Sequence, residues 1–129
     1  MEQNKQKTSH GEVWMDEDGV LYQDYSPGTV LKLEDSLEEL KIYRTTFCKE
    51  EKRPIIVDLS NIKTVSKESR DIYSSEEMGD IISAAALIVS NPVNRIMGNF
   101  YMGINKTKMP VRMFSGTRDA KNWLKDYLP

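Results

Sequence analysis

Ile55-Ile56-Val57-Asp58-Leu59 is a near-continuous apolar run of strand length, preceded by the charged turn Lys49-Glu50-Glu51-Lys52-Arg53-Pro54. A strand with one wet face alternates apolar and polar residues; an unbroken run marks a strand covered on both faces, so this segment is expected to be a central parallel strand. Downstream, Ser60 to Val65 reads as a loop, and Ser66 is placed to cap a helix from about Lys67 to Glu77, with Gly79 stopping it. Ser83 to Val89 is a second apolar strand, ended by Ser90-Asn91-Pro92. Pro92 suits a first helical position, and Val93, Ile96, Met97, Phe100 and Ile104 mark one face of a helix ending near Asn105. After the Lys106–Pro110 loop, Val111-Arg112-Met113-Phe114 is a short strand, and Ala120, Trp123, Leu124 and Tyr127 form the inner stripe of a last helix.

Upstream of the central run, Leu33, Leu37, Leu40, Tyr43, Arg44 and Phe47 recur at three- and four-residue steps, the mark of an amphipathic helix from about Leu33 to Cys48. Before it, Glu12–Asp16 and Val20–Tyr25 are β-rich runs separated by Glu17-Asp18-Gly19, where Asp-Gly supplies the positive φ of a hairpin turn. The polar, aperiodic residues 1–11 are expected to be a disordered leader to a single domain over residues 12–129. The element order is thus β-β-α-β-α-β-α-β-α. Right-handed crossovers then stack the strands into a mixed, mostly parallel α/β sandwich with helices against the sheet.

Composition narrows the function classes. A chain of 129 residues can build its own core without metal or disulfide, and its single cysteine, Cys48, excludes an intramolecular disulfide. No stretch approaches a ~20-residue membrane span, which predicts a soluble, cytoplasmic protein. A net charge of −2 gives no global excess for nucleic acid. GxxxxGK[ST], GxGxxG, HExxH, CxxC and GxSxG are all missing, and His10, the only histidine, lies in the leader, so no Ser-His or Cys-His pair is expected in the domain. No catalytic residue, metal site or cofactor is assigned. Asp58 is read as holding the loop that follows it, and Cys48 as a small buried residue.

Two features invite a binding reading. From Pro92 onward, Arg95, Lys106, Lys108, Arg112, Arg118, Lys121 and Lys125 face only Asp119 and Asp126 as acidic counterparts, a cationic stretch that could meet an acidic partner. Within it, Tyr101 and Met102 add apolar surface beyond the core stripe, so Arg95, Met97, Tyr101 and Met102 are candidates for a small ligand.

Val57-Asp58-Leu59-Ser60-Asn61-Ile62-Lys63-Thr64-Val65-Ser66-Lys67-Glu68-Ser69, with the order of elements, resembles the STAS domain, the fold of bacterial anti-sigma-factor antagonists and of sulfate-transporter tails. Asp58, Leu59 and Ser60 match the strand end of that family. Where the family carries Asp-Ser-Ser-Gly, this chain has Ser66-Lys67-Glu68-Ser69, so Glu68 stands in place of the serine most often phosphorylated. Asn91-Pro92-Val93-Asn94-Arg95 and Gly98-Asn99-Phe100 look like the stand-alone bacterial STAS-like and lipid-carrier-like small proteins. The resemblance implies a non-enzymatic module that engages a protein partner through Asn61, Lys63, Thr64, Ser66, Lys67, Ser69 and Arg70; the alternative is a carrier or sensor of a small apolar or anionic ligand. A homodimer is a further expectation, since the edge hairpin must be covered or paired.

Overall fold

The computed structural model describes residues 3–90 and 109–129; the helix expected between Pro92 and Asn105 lies outside these. Strands β1 (Gln3–Lys7), β2 (Gly11–Met15), β3 (Leu21–Tyr25) and β4 (Thr29–Leu31) lead into helix α1 (Leu33–Ile42), which widens into a π-helical turn at Tyr43–Phe47. Strands β5 (Arg53–Asp58) and β6 (Ile62–Val65), helices α2 (Lys67–Tyr73) and α3 (Glu76–Ile81) and strand β7 (Ile82–Ile88) follow. Strand β8 (Val111–Phe114), helix α4 (Thr117–Leu124) and a 3-10 turn at Lys125–Tyr127 come last.

Six strands share one sheet in the order β1-β2-β3-β5-β7-β8. β1, β2 and β3 pair antiparallel, whereas β3, β5, β7 and β8 run parallel. The run that suggested a central strand is central: β5 pairs β3 on one side and β7 on the other. Its side chains alternate as strand geometry requires. Ile55 packs with Leu40, Tyr43 and Phe47 from α1 and its π turn and with Met78 of α3, while Ile56 packs with Ala120 and Leu124 of α4. The hairpin turn is also as read, with Gly19 at φ 95°. Asp16 Oδ1 accepts from the Asp18 and Val20 amides there, and Lys121 of α4 reaches Asp16 and Asp18 at 3.1 and 2.8 Å. Those two carboxylates hold the Lys121 ammonium well above the usual lysine range, and burial pushes the neighbouring Tyr22 phenol up to about 12.

Four readings need correction. The supposed leader holds β1, paired to β2; a polar edge strand is bound by its backbone ladder rather than by a core, and Lys5 Nζ lies 5.1 Å from the centre of the Trp14 ring. The Ser60–Val65 loop contains β6, which pairs in parallel with β4 as a separate ribbon that local patterning does not reveal. The helix after Ser66 is two helices, because Ser75 Oγ accepts from the Met78 amide (3.2 Å) and starts a new one; Gly79 falls inside it. Finally, α1 keeps Leu40 buried, but Leu33 and Leu37 are 39% and 45% exposed while Asp35, Ser36 and Glu39 turn inward. The partners waiting inside that face are polar: Tyr25 and Tyr73 both donate to Glu39.

Candidate functional site

β7 lies between β5 and β8 and carries Ala84-Ala85-Ala86. On one face Ala84 and Ala86 let α4 lie close; on the other, Ala85 leaves space that a larger residue would fill. That space is a cavity of about 410 Å³, within the size range of small-molecule sites. Its wall is mostly aliphatic, with Leu31, Val57, Leu59, Ile62, Leu87 and Val111 among the lining residues. The polar exceptions include Glu39, Tyr25, Tyr43, Tyr73 and Arg70.

Glu39 is 1% exposed. Three phenols from three parts of the chain meet it. Tyr73 of α2 donates to Oε1 at 2.7 Å, and Tyr25 of β3 shares its hydroxyl between Oε1 (3.0 Å) and Oε2 (3.1 Å). Tyr43, in the π turn, lies 3.4 Å from Oε1. Its proton is committed elsewhere: Gln23 Nε2 donates to the Glu12 and Asp24 carbonyls, which turns Gln23 Oε1 toward Tyr43 to accept from its hydroxyl at 2.7 Å. A hydroxyl has one hydrogen, so Tyr43 has none left for Glu39.

Burial pushes the Glu39 carboxyl up to about 7, against the lowering effect of the Tyr73 and Tyr25 hydroxyls; the Asp35 charge one turn earlier raises it further. Burial, then the Glu39 charge, likewise holds the Tyr25 and Tyr43 phenols well above the ordinary tyrosine range. A carboxyl titrating near neutrality on the wall of an apolar cavity is the marked chemical feature of this fold. Local reading missed it because a glutamate on an acidic helix is usually on the wet face. The available signal was spacing: Ser36, Glu39 or Leu40, Tyr43 and Phe47 also recur at helical steps.

The residues assigned to a partner surface divide. Asn61, Lys63, Thr64 and Lys67 are exposed, and Ser66 is half-buried, its Oγ capping α2 by accepting from the Ser69 amide at 3.1 Å. Ser69 is fully buried, so it is not available at a surface. Arg70 is half-buried, donates from Nη1 to the Val65 carbonyl at 2.9 Å and lines the cavity; the first turn of α2 points it inward. Asp58 Oδ1 accepts from the Ser60 amide at 2.9 Å, and Cys48 is buried, its thiol pushed up to about 11 by desolvation. Arg95, Met97, Tyr101 and Met102 lie outside the described residues. Of the cationic stretch, Lys121 is paired as above and Arg112 lies over the Phe114 ring at 5.3 Å. Among the described residues no cluster of His, Cys, Asp or Glu could hold a metal ion, and no helix is long and apolar enough to cross a membrane.

A family model described as a domain of unknown function, DUF7793, matches residues 13–128. The chain belongs to the DUF7793 family. A solved structure similar to this DUF7793 domain is an uncharacterized protein of the DUF3478 family with a SpoIIAA-like fold from Shewanella loihica PV-4. It is 14% identical, the match covers 96% of this chain and 92% of that one, and the TM-score is 0.54. The likeness is one of fold, and at that level it bears out the STAS resemblance read from Val57–Ser69. A protein of unknown function from Arthrobacter sp. FB24 is 24% identical over 95% of this chain and 98% of that one, with a TM-score of 0.33. Comparison with curated proteins gives no significant match.

Proposed function

We propose that this DUF7793 domain is a non-enzymatic regulatory module that senses or carries a small, largely apolar molecule in the cavity beneath α2. The observation that carries the reading is the cavity itself: about 410 Å³ of aliphatic-walled space with a few convergent polar groups. An apolar body seated against these walls gains dispersion contacts and loses its hydration. A purely anionic ligand fits less well than the sequence reading allowed, since Glu39 stands on the wall.

The test uses 1-octanol as a neutral apolar probe. A ligand that binds only the folded state raises stability by roughly 2.7 kcal/mol at 100 times its Kd, so the melting temperature should climb with octanol concentration. Ala85→Ile, which fills the space from β7, should abolish that climb without lowering the melting temperature of the free protein. No octanol-dependent shift in the unsubstituted protein would overturn the reading.

A partner surface is the second reading, and one observation favours it. Val30 on β4 is 37% exposed, pairs with exposed Thr64 on β6 and lies three residues before exposed Leu33, so apolar surface stands beside one of the candidate residues. α2 joins the two regions: it sends Tyr73 into the cavity and presents Lys67 outside. A sensor would report through this helix. Among the described residues Lys67 makes an exposed i,i+4 pair with Asp71 at 3.1 Å, worth under about 0.5 kcal/mol. Lys67→Glu should therefore weaken capture of an acidic partner at unchanged melting temperature; equal capture by both proteins would count against this surface. Arg70→Glu is a poor substitute, because it would break the Val65 contact.

A further inference from the structure

The cavity runs out to the surface along two elements at once. Ile62 and Thr64 stand two apart on β6 and so share one face of the strand. Both line the cavity, yet Ile62 is buried and Thr64 is exposed. Among the described lining residues Thr64 is the one that is exposed; the rest are buried or half-buried. α2 repeats the pattern. Arg70 and Tyr73 are three apart, hence neighbours on one helical face, and both line the cavity. Tyr73 reaches the inner end, where it donates to Glu39 at 2.7 Å. One contact of Arg70, a turn nearer the start of α2, is the Val65 carbonyl, to which Nη1 donates at 2.9 Å. The Arg70 side chain thus bridges from α2 to the residue that follows Thr64. Ser66 alone joins β6 to α2, and its Oγ, accepting from the Ser69 amide, fixes the corner.

We infer that the entrance to the cavity lies at this corner of β6 and α2, between Thr64 and Arg70, and that an apolar ligand enters and leaves there. The inference rests on the ligand-binding reading above and adds the route. It also gives that site a means of regulation. Asn61, Lys63 and Lys67 are exposed around the same corner, so a partner seated on them would stand over the entrance and set how fast the ligand exchanges.

The test narrows the entrance and reads exchange rates. Cys48 is the single cysteine and is buried, so Thr64→Cys carries the one accessible thiol, and N-phenylmaleimide adds a ring there. Fluorine NMR with an octanol bearing a terminal trifluoromethyl group gives association and dissociation rates before and after labelling. Entry and exit share one path, so both rates should fall together by at least about fivefold, with the Kd held within about twofold. Thr64→Trp, which needs no label, should slow both rates likewise. Lys49→Cys, exposed in the turn that leads into β5 and absent from the cavity lining, is the labelling control and should exchange at the wild-type rate. Unchanged rates after labelling at position 64 would overturn the entrance and put the route elsewhere, such as past Met109 and Val111, with the cavity reading intact. A weaker Kd at an unchanged dissociation rate would also overturn it, because the ring would then fill the cavity rather than narrow its mouth. Failure of the tagged octanol to bind the wild-type protein would overturn both readings.

Discussion

Glu39→Gln should flatten the fall in stability that the unsubstituted protein shows as pH rises from about 4.5 through 7. The folded-state carboxyl titrates near 7, against an ordinary value of 4.5, because burial disfavours its charge. Between those values the folded protein holds a proton that the unfolded chain releases, so stability is greatest below 4.5 and is lost as pH climbs through 7. The full separation corresponds to a loss on the order of 3 kcal/mol. Glutamine is close in shape, still accepts from Tyr73 through its carbonyl oxygen, and can donate to the Tyr25 oxygen through its amide. It carries no charge to desolvate. Urea unfolding of both proteins at half-unit steps from pH 4.5 to 8 isolates the contribution, since every other titrating group is common to the pair. The variant should gain on the wild type as pH rises and be the more stable of the two at pH 8. A difference that stays constant within about 1 kcal/mol across the range would show that Glu39 is ionised throughout.

The second large effect is expected at Gly11, where β2 begins opposite Tyr25 of β3. A Cβ on Gly11 would overlap the Asp24 carbonyl oxygen and sit 2.8 Å from its carbon and 3.0 Å from Tyr25 Cα, all of them backbone atoms that no rotamer change can move. The strands would have to part. Their junction is closely tied, with the Ser26 amide donating to the His10 carbonyl at 2.7 Å and the Glu12 amide to Asp24 Oδ1 at 2.9 Å. Gly11→Ala should therefore cost about 3 kcal/mol and lower the melting temperature by about 10 °C. Because Tyr25 is the displaced neighbour, octanol binding should weaken as well. Gly116→Ala is the matched control: its Cβ would meet nothing within 4 Å, so a change within about 0.5 kcal/mol is expected there. A Gly11→Ala protein melting within about 2 °C of wild type would contradict the close approach of β2 to β3.

What the sequence determined by itself are the features set by near neighbours. Asp18-Gly19 specifies the hairpin turn because positive φ is a property of one residue. Ile55–Leu59 reads as a doubly covered strand because the hydrophobic pattern has no wet half, and Ser66 reads as a cap because its hydroxyl reaches an amide three residues on. Ala120 and Leu124 mark the buried face of α4 for the same reason of spacing, and the fold class follows from the order of such elements.

Only the tertiary structure decided the rest. β1 is held by backbone pairing that its polar side chains do not announce, and β4 and β6 find each other across more than thirty residues. The candidate site depends on the same kind of distant meeting: Tyr25 and Tyr73 reach Glu39 over sequence separations of 14 and 34 residues. Periodicity offers α1 more than one face. Whether Leu33 and Leu37 or Ser36 and Glu39 turn inward is settled by what stands opposite, and phenols stand there. A carboxylate is buried only where distant hydroxyls satisfy it, and that requirement is written in no single window of the chain.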